Sequence, residues 1–360
     1  TERGMYISFD DGSNWNKFQL NLPIVPITDL AIKNDNLIAA TQGRSFWMID
    51  DLTPMHQLTS SLVQEDVILF KPQDSYRMGG GNGRTSKTEG TNHPGGVAIN
   101  YFIKEKDAKE PVSLQIYDSN DVLIKTFSTE QNKEKKEAKL TLENGNNIFY
   151  WDMMYPGAEK VKGMILWWAS LNGPMALPGN YKVTLTMGET SKSQNFTILK
   201  NPISETTLAD ATAQFDFIND INTKVTEIHK ALKNVKKVRA QVTSLQKSIK
   251  DKEKHTELLD YAASLLKEMT VVEETLYQTK SKSGQDPLNF PIRLNNKLAH
   301  LNSLTRIGSY APTQQAIDFK NEINKEIDKE LSKLYDLFNN KVKVLNKKVK
   351  DSQIDLIQLD

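Results

Sequence analysis

Apolar positions change their period twice along the chain. Up to about residue 58 they come in short runs separated by turn residues, as in Met5-Tyr6-Ile7, Asp29-Leu30-Ala31-Ile32-Lys33, Leu37-Ile38-Ala39-Ala40-Thr41 and Phe46-Trp47-Met48-Ile49. Asn34-Asp35-Asn36 between the second and third of these is a hairpin signal. Four or five short strands make a single sheet, and a sheet of that size does not bury two faces alone. From 97 to 201 strict alternation returns, in Val97–Phe102, Val112–Tyr117, Val122–Phe127, Asn147–Trp151, Gly179–Leu185 and Ser193–Ile198. That pattern, with turns such as Asp118-Ser119-Asn120-Asp121, predicts an antiparallel β-sandwich of roughly seven strands. From 204 to 360 the step becomes three and four. Phe215, Ile218, Ile221, Val225, Ile228, Leu232, Val235, Val238, Val242, Leu245 and Ile249 form one helical seam. Thr207-Leu208-Ala209-Asp210 can cap that helix, with Asp in place of the usual Glu. A second helix carries Leu258 to Leu276, a short one Leu294 to Leu304, and a last one follows Ala311-Pro312-Thr313. Long amphipathic helices of this kind predict an antiparallel helical bundle. The fold class is therefore multidomain β plus α: 1–63 a small sheet, 64–96 a connector, 97–201 a sandwich and 204–360 helical.

Composition narrows the functional classes. Lys plus Arg number 46 against 45 Asp plus Glu, a net charge of +1, so no global charge points to nucleic acid or to an anionic membrane. The Lys-rich helical stretches, around Lys233 to Arg239 and Lys341 to Lys350, alternate with seam residues and read as solvated faces. There is no Cys, which removes disulfides, thiolate catalysis and Cys-based zinc sites together. No run of about 18 apolar residues predicts a transmembrane helix. His56, His93, His229, His255 and His300 show no metal-ligand spacing, so neither a metal nor a cofactor is expected. Gly79-Gly80-Gly81-Asn82-Gly83-Arg84-Thr85 lacks the spacing and the Lys of a phosphate loop, and the Gly-rich stretch from Met78 to Gly96 reads as a mobile loop. Asp10-Asp11 and Asp50-Asp51 are paired carboxylates, but a glycosidase needs two carboxyls facing each other across a sugar, and both pairs sit where turns or caps need them. No catalytic residue is assigned.

The densest local signal is Ser8-Phe9-Asp10-Asp11-Gly12-Ser13-Asn14-Trp15. Ser8 and Asp10 can accept backbone N–H groups inside a tight turn, Gly12 allows a positive φ, and Trp15 can pack back on the sheet. This Ser-x-Asp-x-Gly-x-x-Trp pattern resembles the Asp-box of sialidase-like and sortilin-like β-propellers. With Leu20-Asn21-Leu22-Pro23, the stretch Ala39 to Pro54, Trp151 to Ala158 and Ala311-Pro312-Thr313-Gln314-Gln315, the chain resembles the C-terminal portion of bacterial sortilin-like, BNR-repeat propeller proteins. The 97–201 region also resembles the immunoglobulin-like module of flagellar hook-capping proteins, whose late strands begin like Pro178-Gly179-Asn180-Tyr181.

The resemblance implies a closing propeller blade at 1–63, an Ig-like sandwich and a helical tail. Together with the opening Thr1-Glu2-Arg3-Gly4, it predicts an upstream propeller segment of the same protein as the first partner. It further implies a non-catalytic binding or scaffold protein; the Lys- and Asn-rich composition resembles that of Bacteroidetes proteins, for which the periplasm or cell surface of a Gram-negative envelope is the expected place. The expected partner is a protein in an envelope complex, or a glycan. The alternative is the accessory C-terminal portion of a glycosyl-hydrolase-like enzyme whose site lies in other blades. Candidate docking aromatics are Trp151, Tyr155, Trp167 and Trp168. If Trp167 and Trp168 share a strand they point to opposite faces, and one of them faces outward.

Overall fold

The computed structural model describes residues 1–81, 92–105, 110–130, 139–249 and 251–354. Of the Gly-rich stretch 78–96, and of the run compared with a phosphate loop, residues 82–91 lie outside the described residues. The described ends of that stretch pair with each other, through an antiparallel bridge between Gly79 and Gly95. The chain is a mixture of β-sheets and α-helices, and it divides into two compact units, 1–152 with 179–199, and 153–178 with 200–360.

The first unit is all sheet apart from short turns of helix. Strands β1 (Tyr6–Ile7) and β2 (Asn16–Lys17) form a two-stranded hairpin. β3 (Ile27–Lys33), β4 (Asn36–Thr41) and β5 (Phe46–Ile49) form a three-stranded antiparallel sheet in that order. Asn34 and Asp35, at φ of 51° and 62°, make the two-residue turn between β3 and β4, a conformation that suits Asn and Asp because their short side chains tolerate the left-handed region. A one-turn helix α1 (Thr53–His56) follows, its Thr53 N–H held by Asp51 at 2.8 Å.

The remaining strands build two sheets. β6 (Val67–Leu69), β8 (Val97–Ile103) and β11 (Gly145–Trp151) give the order β11-β8-β6. β7 (Ser75–Tyr76), β9 (Val112–Tyr117), β10 (Leu123–Ser128), β12 (Gly179–Met187) and β13 (Thr190–Leu199) give β10-β9-β12-β13-β7. β9 alternates buried and half-buried residues along its whole length, as a strand with one face on a core must. Trp151 meets Tyr181 and Phe196 edge-on at 5.8 and 6.2 Å between ring centres, which joins the two sheets through one aromatic cluster. β6 and β7 come from the stretch read from sequence as a connector. Their two or three residues are too short to show a period.

The second unit is helical. α2 (Leu208–Ser248) has 41 residues, and at 1.5 Å per residue it is roughly 60 Å long. Thr207 accepts the Asp210 N–H while the Asp210 carboxylate accepts the Thr207 N–H, so both partners of the capping box are in place. α3 (Thr256–Leu276), α4 (Leu294–Thr305), α5 (Gln314–Asp336) and α6 (Val342–Asp351) complete it. Their core runs through Ile221, Val225, Ile228, Leu232 and Val235 of α2, against Leu265, Met269 and Leu276 of α3, Leu298 of α4 and Ile327 and Leu334 of α5. A π-helical turn, Leu337–Lys341, joins α5 to α6 without breaking the helix. Arg239 of α2 pairs with Glu273 of α3 at 2.6 Å, with the glutamate side chain only 4% exposed. No helix among the described residues is long and apolar enough to cross a membrane.

Residues 153–178, read from sequence as part of the 97–201 sandwich, pack instead with the helices. This strap doubles back on itself, with Ala158 N–H donating to Leu171 O at 2.8 Å and Tyr155 N–H to Pro174 O at 2.9 Å. A Cβ on Gly173 would stand 2.0 Å from the Tyr155 carbonyl oxygen, so the closeness of the two arms requires glycine there.

Candidate docking surfaces

The Asp-box residues form a closed hydrogen-bonded turn. Ser8 Oγ donates to Asp10 Oδ1 at 2.8 Å and accepts the Gly12 N–H at 2.8 Å. Asp10 accepts the Asn14 N–H at 2.8 Å and the Asn14 side-chain amide at 2.6 Å. These bonds, that of the Asn14 side chain foremost, hold the Asp10 carboxyl below its ordinary value. Gly12 sits at φ +87°, which the turn needs. Asp10 is thus committed to shaping a turn. Trp15 is 63% exposed with its ring edge beside Gly12, which corrects the expectation that it packs back on the sheet. Asp51 is also structural, accepting from Gln73 at 2.9 Å and from Asn100 at 3.3 Å besides Thr53.

The adjoining sheet has apolar residues on both faces. The register places Leu30, Ala39 and Trp47 in one row, and Ile32, Leu37 and Ile49 in the next row of the same face. The opposite face carries Ala31, Ile38 and Met48, then Ala40 and Phe46. Met5, Phe18, Leu20 and Leu22 approach the first face around a small cavity of about 40 Å³ that Leu37, Ala39, Trp47 and Ile49 also line. Leu30 and Ile32 remain exposed there, and Phe46 is 75% exposed on the other face with Met48 beside it. A sheet with solvent on one side alternates apolar with polar residues; one buried on both sides does not. These strands, and two faces that a single such sheet does not bury alone, were legible in the sequence; which residues share a face depends on register.

The four candidate aromatics separate into different roles. Trp151 is fully buried between the two larger sheets, so it is a core residue and not a docking aromatic. Tyr155 is half-buried and meets Phe215 edge-on at 4.8 Å. Trp167 and Trp168 lie in the strap, outside any strand, which corrects the alternation argument applied to them. Trp168 has a φ of +52° and is 75% exposed, while Trp167 is half-buried with its ring perpendicular to that of Trp168.

What places Trp167 and Trp168 is a row of polar side chains from α2 and α4 that take the strap's backbone hydrogen bonds. Asn296 accepts the Trp167 N–H at 2.6 Å and donates to the Trp167 carbonyl at 2.9 Å, replacing the partner a strand would offer. His300 Nδ1 donates to the Trp168 carbonyl at 2.7 Å. Asn222 and Asn302 both donate to Asn172 O, at 2.8 and 3.1 Å, and Asn302 also donates to Asn222 Oδ1 at 3.0 Å. His229, fully buried, donates from Nδ1 to the Glu159 carbonyl at 2.5 Å, which leaves Nε2 to accept from Asn295 at 3.3 Å. Burial pushes the His229 pKa down. None of these Asn residues was singled out from sequence. The available signal was Asn295, Asn296 and Asn302 on a short helix with Leu294, Leu298 and Leu301, where polar residues share the buried side with leucines.

No group of three or more His, Asp or Glu among the described residues is placed to hold a metal ion. No protein-family model matches the chain, and no curated protein matches it either.

Proposed function

We propose that this is a non-catalytic binding or scaffold protein in which the β3–β5 sheet is one layer of a stack, the closing blade of a sortilin-like, BNR-type β-propeller. The two larger sheets and the helical unit are then an Ig-like sandwich and a helical bundle that display it within a cell-envelope complex, outside the cytoplasm. The observation that carries this reading is the sheet with two apolar faces: Leu30 and Ile32 on one side and Phe46 and Met48 on the other call for a further apolar layer against each.

Hydroxyl-radical footprinting tests the proposal on the protein isolated from its native envelope, with this 360-residue chain as the reference. Leu30, Ile32, Phe46 and Met48 are expected to be protected in the native protein and reactive in the isolated chain. Equal reactivity in both, together with glycan turnover by the native protein, would reverse the conclusion in favour of a glycosidase.

A further inference from the structure

The helical unit contains a groove of about 700 Å³ between the C-terminal half of α4, the connection that follows it and the first turns of α5. Leu301, Leu304, Ile307, Tyr310, Ala316 and Phe319 give it apolar walls. The volume falls within the roughly 300–1,000 Å³ of small-molecule sites. Four of these side chains, Leu304, Ile307, Tyr310 and Phe319, are exposed, an unusual amount of apolar surface on one stretch of chain.

The groove is held open by specific bonds. Gln214 of α2, only 5% exposed, donates its side-chain amide to the carbonyls of Thr305, Gly308 and Tyr310 at 2.8, 3.1 and 3.1 Å. That one side chain fixes the connecting loop from below. Gly308 turns the loop at φ +90°, and Thr313 caps α5 by accepting the Ala316 N–H at 3.2 Å. A site shaped before its ligand arrives loses less entropy on binding.

Its polarity has one sign. Lys297 and His300 stand on the lining, and no carboxylate does. His300 Nδ1 donates to the Trp168 carbonyl, so Nε2 of the neutral ring is an acceptor, and Lys297 is the cation that the lining offers an anion. The N-terminal turn of α5, through Thr313, Gln315 and Ala316, adds the partial positive charge of a long helix's first N–H groups.

We propose that this groove binds a small amphipathic anion, a medium-chain or aryl carboxylate whose apolar body lies along Leu304, Ile307 and Phe319 and whose carboxylate meets Lys297. The groove lies wholly within the helical unit, so the inference stands apart from the stacked-sheet reading.

Calorimetric titration of the full chain tests it, with dodecanoate as the anionic probe and dodecyltrimethylammonium as a cation of matched chain length. Dodecanoate is expected to bind at one saturable site and at least about tenfold more tightly than the cation. Lys297→Glu, at an exposed position, is expected to weaken dodecanoate about five- to tenfold. Ile307→Asp, in the exposed loop, is expected to abolish saturable binding while leaving the circular dichroism spectrum unchanged. Equal affinity for the two probes overturns the proposal, as does indifference of both variants. A concentration-dependent dimer that Ile307→Asp dissociates would also overturn it, since the occupant would then be a second copy of the chain.

Discussion

Asn302→Ala removes the side chain that ties α4 to both the strap and α2. Asn302 is fully buried and donates to Asn172 O at 3.1 Å and to Asn222 Oδ1 at 3.0 Å. Two buried bonds at about 1 kcal/mol each give a first cost of about 2 kcal/mol. Asn172 O keeps the donor of Asn222, but Asn222 Oδ1 loses its partner in a 5%-exposed position, which adds about 1–3 kcal/mol. Part of this returns, because Asn302 Oδ1 has no hydrogen-bond partner among the described residues and its removal leaves nothing unpaired. The expected net loss is about 3 kcal/mol, or about a hundredfold in the equilibrium that opens the strap. Hydrogen exchange reads this directly. The Ala158 N–H, bonded across the strap, and the Ser170 N–H, bonded to Ala299 O, should exchange about a hundredfold faster. Asn302→Asp is the decisive companion, since it keeps the volume but turns the donor into an acceptor aimed at two oxygens. It should destabilise more than alanine does. An aspartate variant milder than the alanine variant, or an alanine variant within about 0.5 kcal/mol of the parent, would refute the argument that donation to the strap is what Asn302 supplies.

Four further outcomes follow from the geometry. His229 is held neutral by burial, so the unfolded chain takes up its proton first as pH falls; its contribution is intact above pH 6.5 and declines below it towards the lowered folded pKa, and a urea-melt series in His229→Gln should show a flatter slope across that window. Asp10 has its pKa lowered by Asn14 and Ser8, so its support of the turn is present above pH 3.8 and lost as pH falls through the folded value; the protection of the Gly12 and Asn14 amides, relative to an unstructured amide at the same pH, should fall in acid, and Asp10→Ala should show the lowered protection at neutral pH. Gly173→Ala puts a methyl into the Tyr155 carbonyl and should cost about 3 kcal/mol in thermal unfolding, against a near-neutral alanine at Gly284, where the space is open. Arg239→Met leaves the buried Glu273 carboxylate without its partner and should cost about 3–5 kcal/mol, most of which an added Glu273→Leu should restore.

The elements with internal period were legible in the sequence. Ile218, Ile221, Val225, Ile228, Leu232 and Val235 step round α2 on one side, and all six are buried there. The strands from Val97 to Ile198 were legible for the same reason, since each alternates against its neighbour. The strap was not, because its backbone is satisfied by side chains of Asn222, Asn296 and Asn302, as far as about 130 positions away, and no local pattern encodes that. Trp167 and Trp168 therefore fell inside the stretch read as the 97–201 sandwich. The groove was hidden for a related reason. It exists because Gln214, in a helix nearly a hundred residues earlier, fixes the loop after α4, and a glutamine on a helical seam carries no sign of what it will hold.

The π-turn at Leu337–Lys341 holds one residue more than the α-helical path would, and each residue of an α-helix advances the screw by about 100°. It works as a phase adjuster. On its N-terminal side Ile323, Ile327, Leu331 and Leu334 are in step with the core; Lys341, its last residue, reaches Glu268 at 2.6 Å, and beyond it Leu345 is buried and Lys348 reaches Glu257, both glutamates on α3. Deleting a single residue within this turn would straighten the rod at little local cost. It would also rotate all of Val342–Asp351 by about a quarter turn, carrying Leu345 towards water and Lys348 away from Glu257. The fit of the last ten helical residues to α3 is thus written in the length of the chain between them as much as in their own side chains.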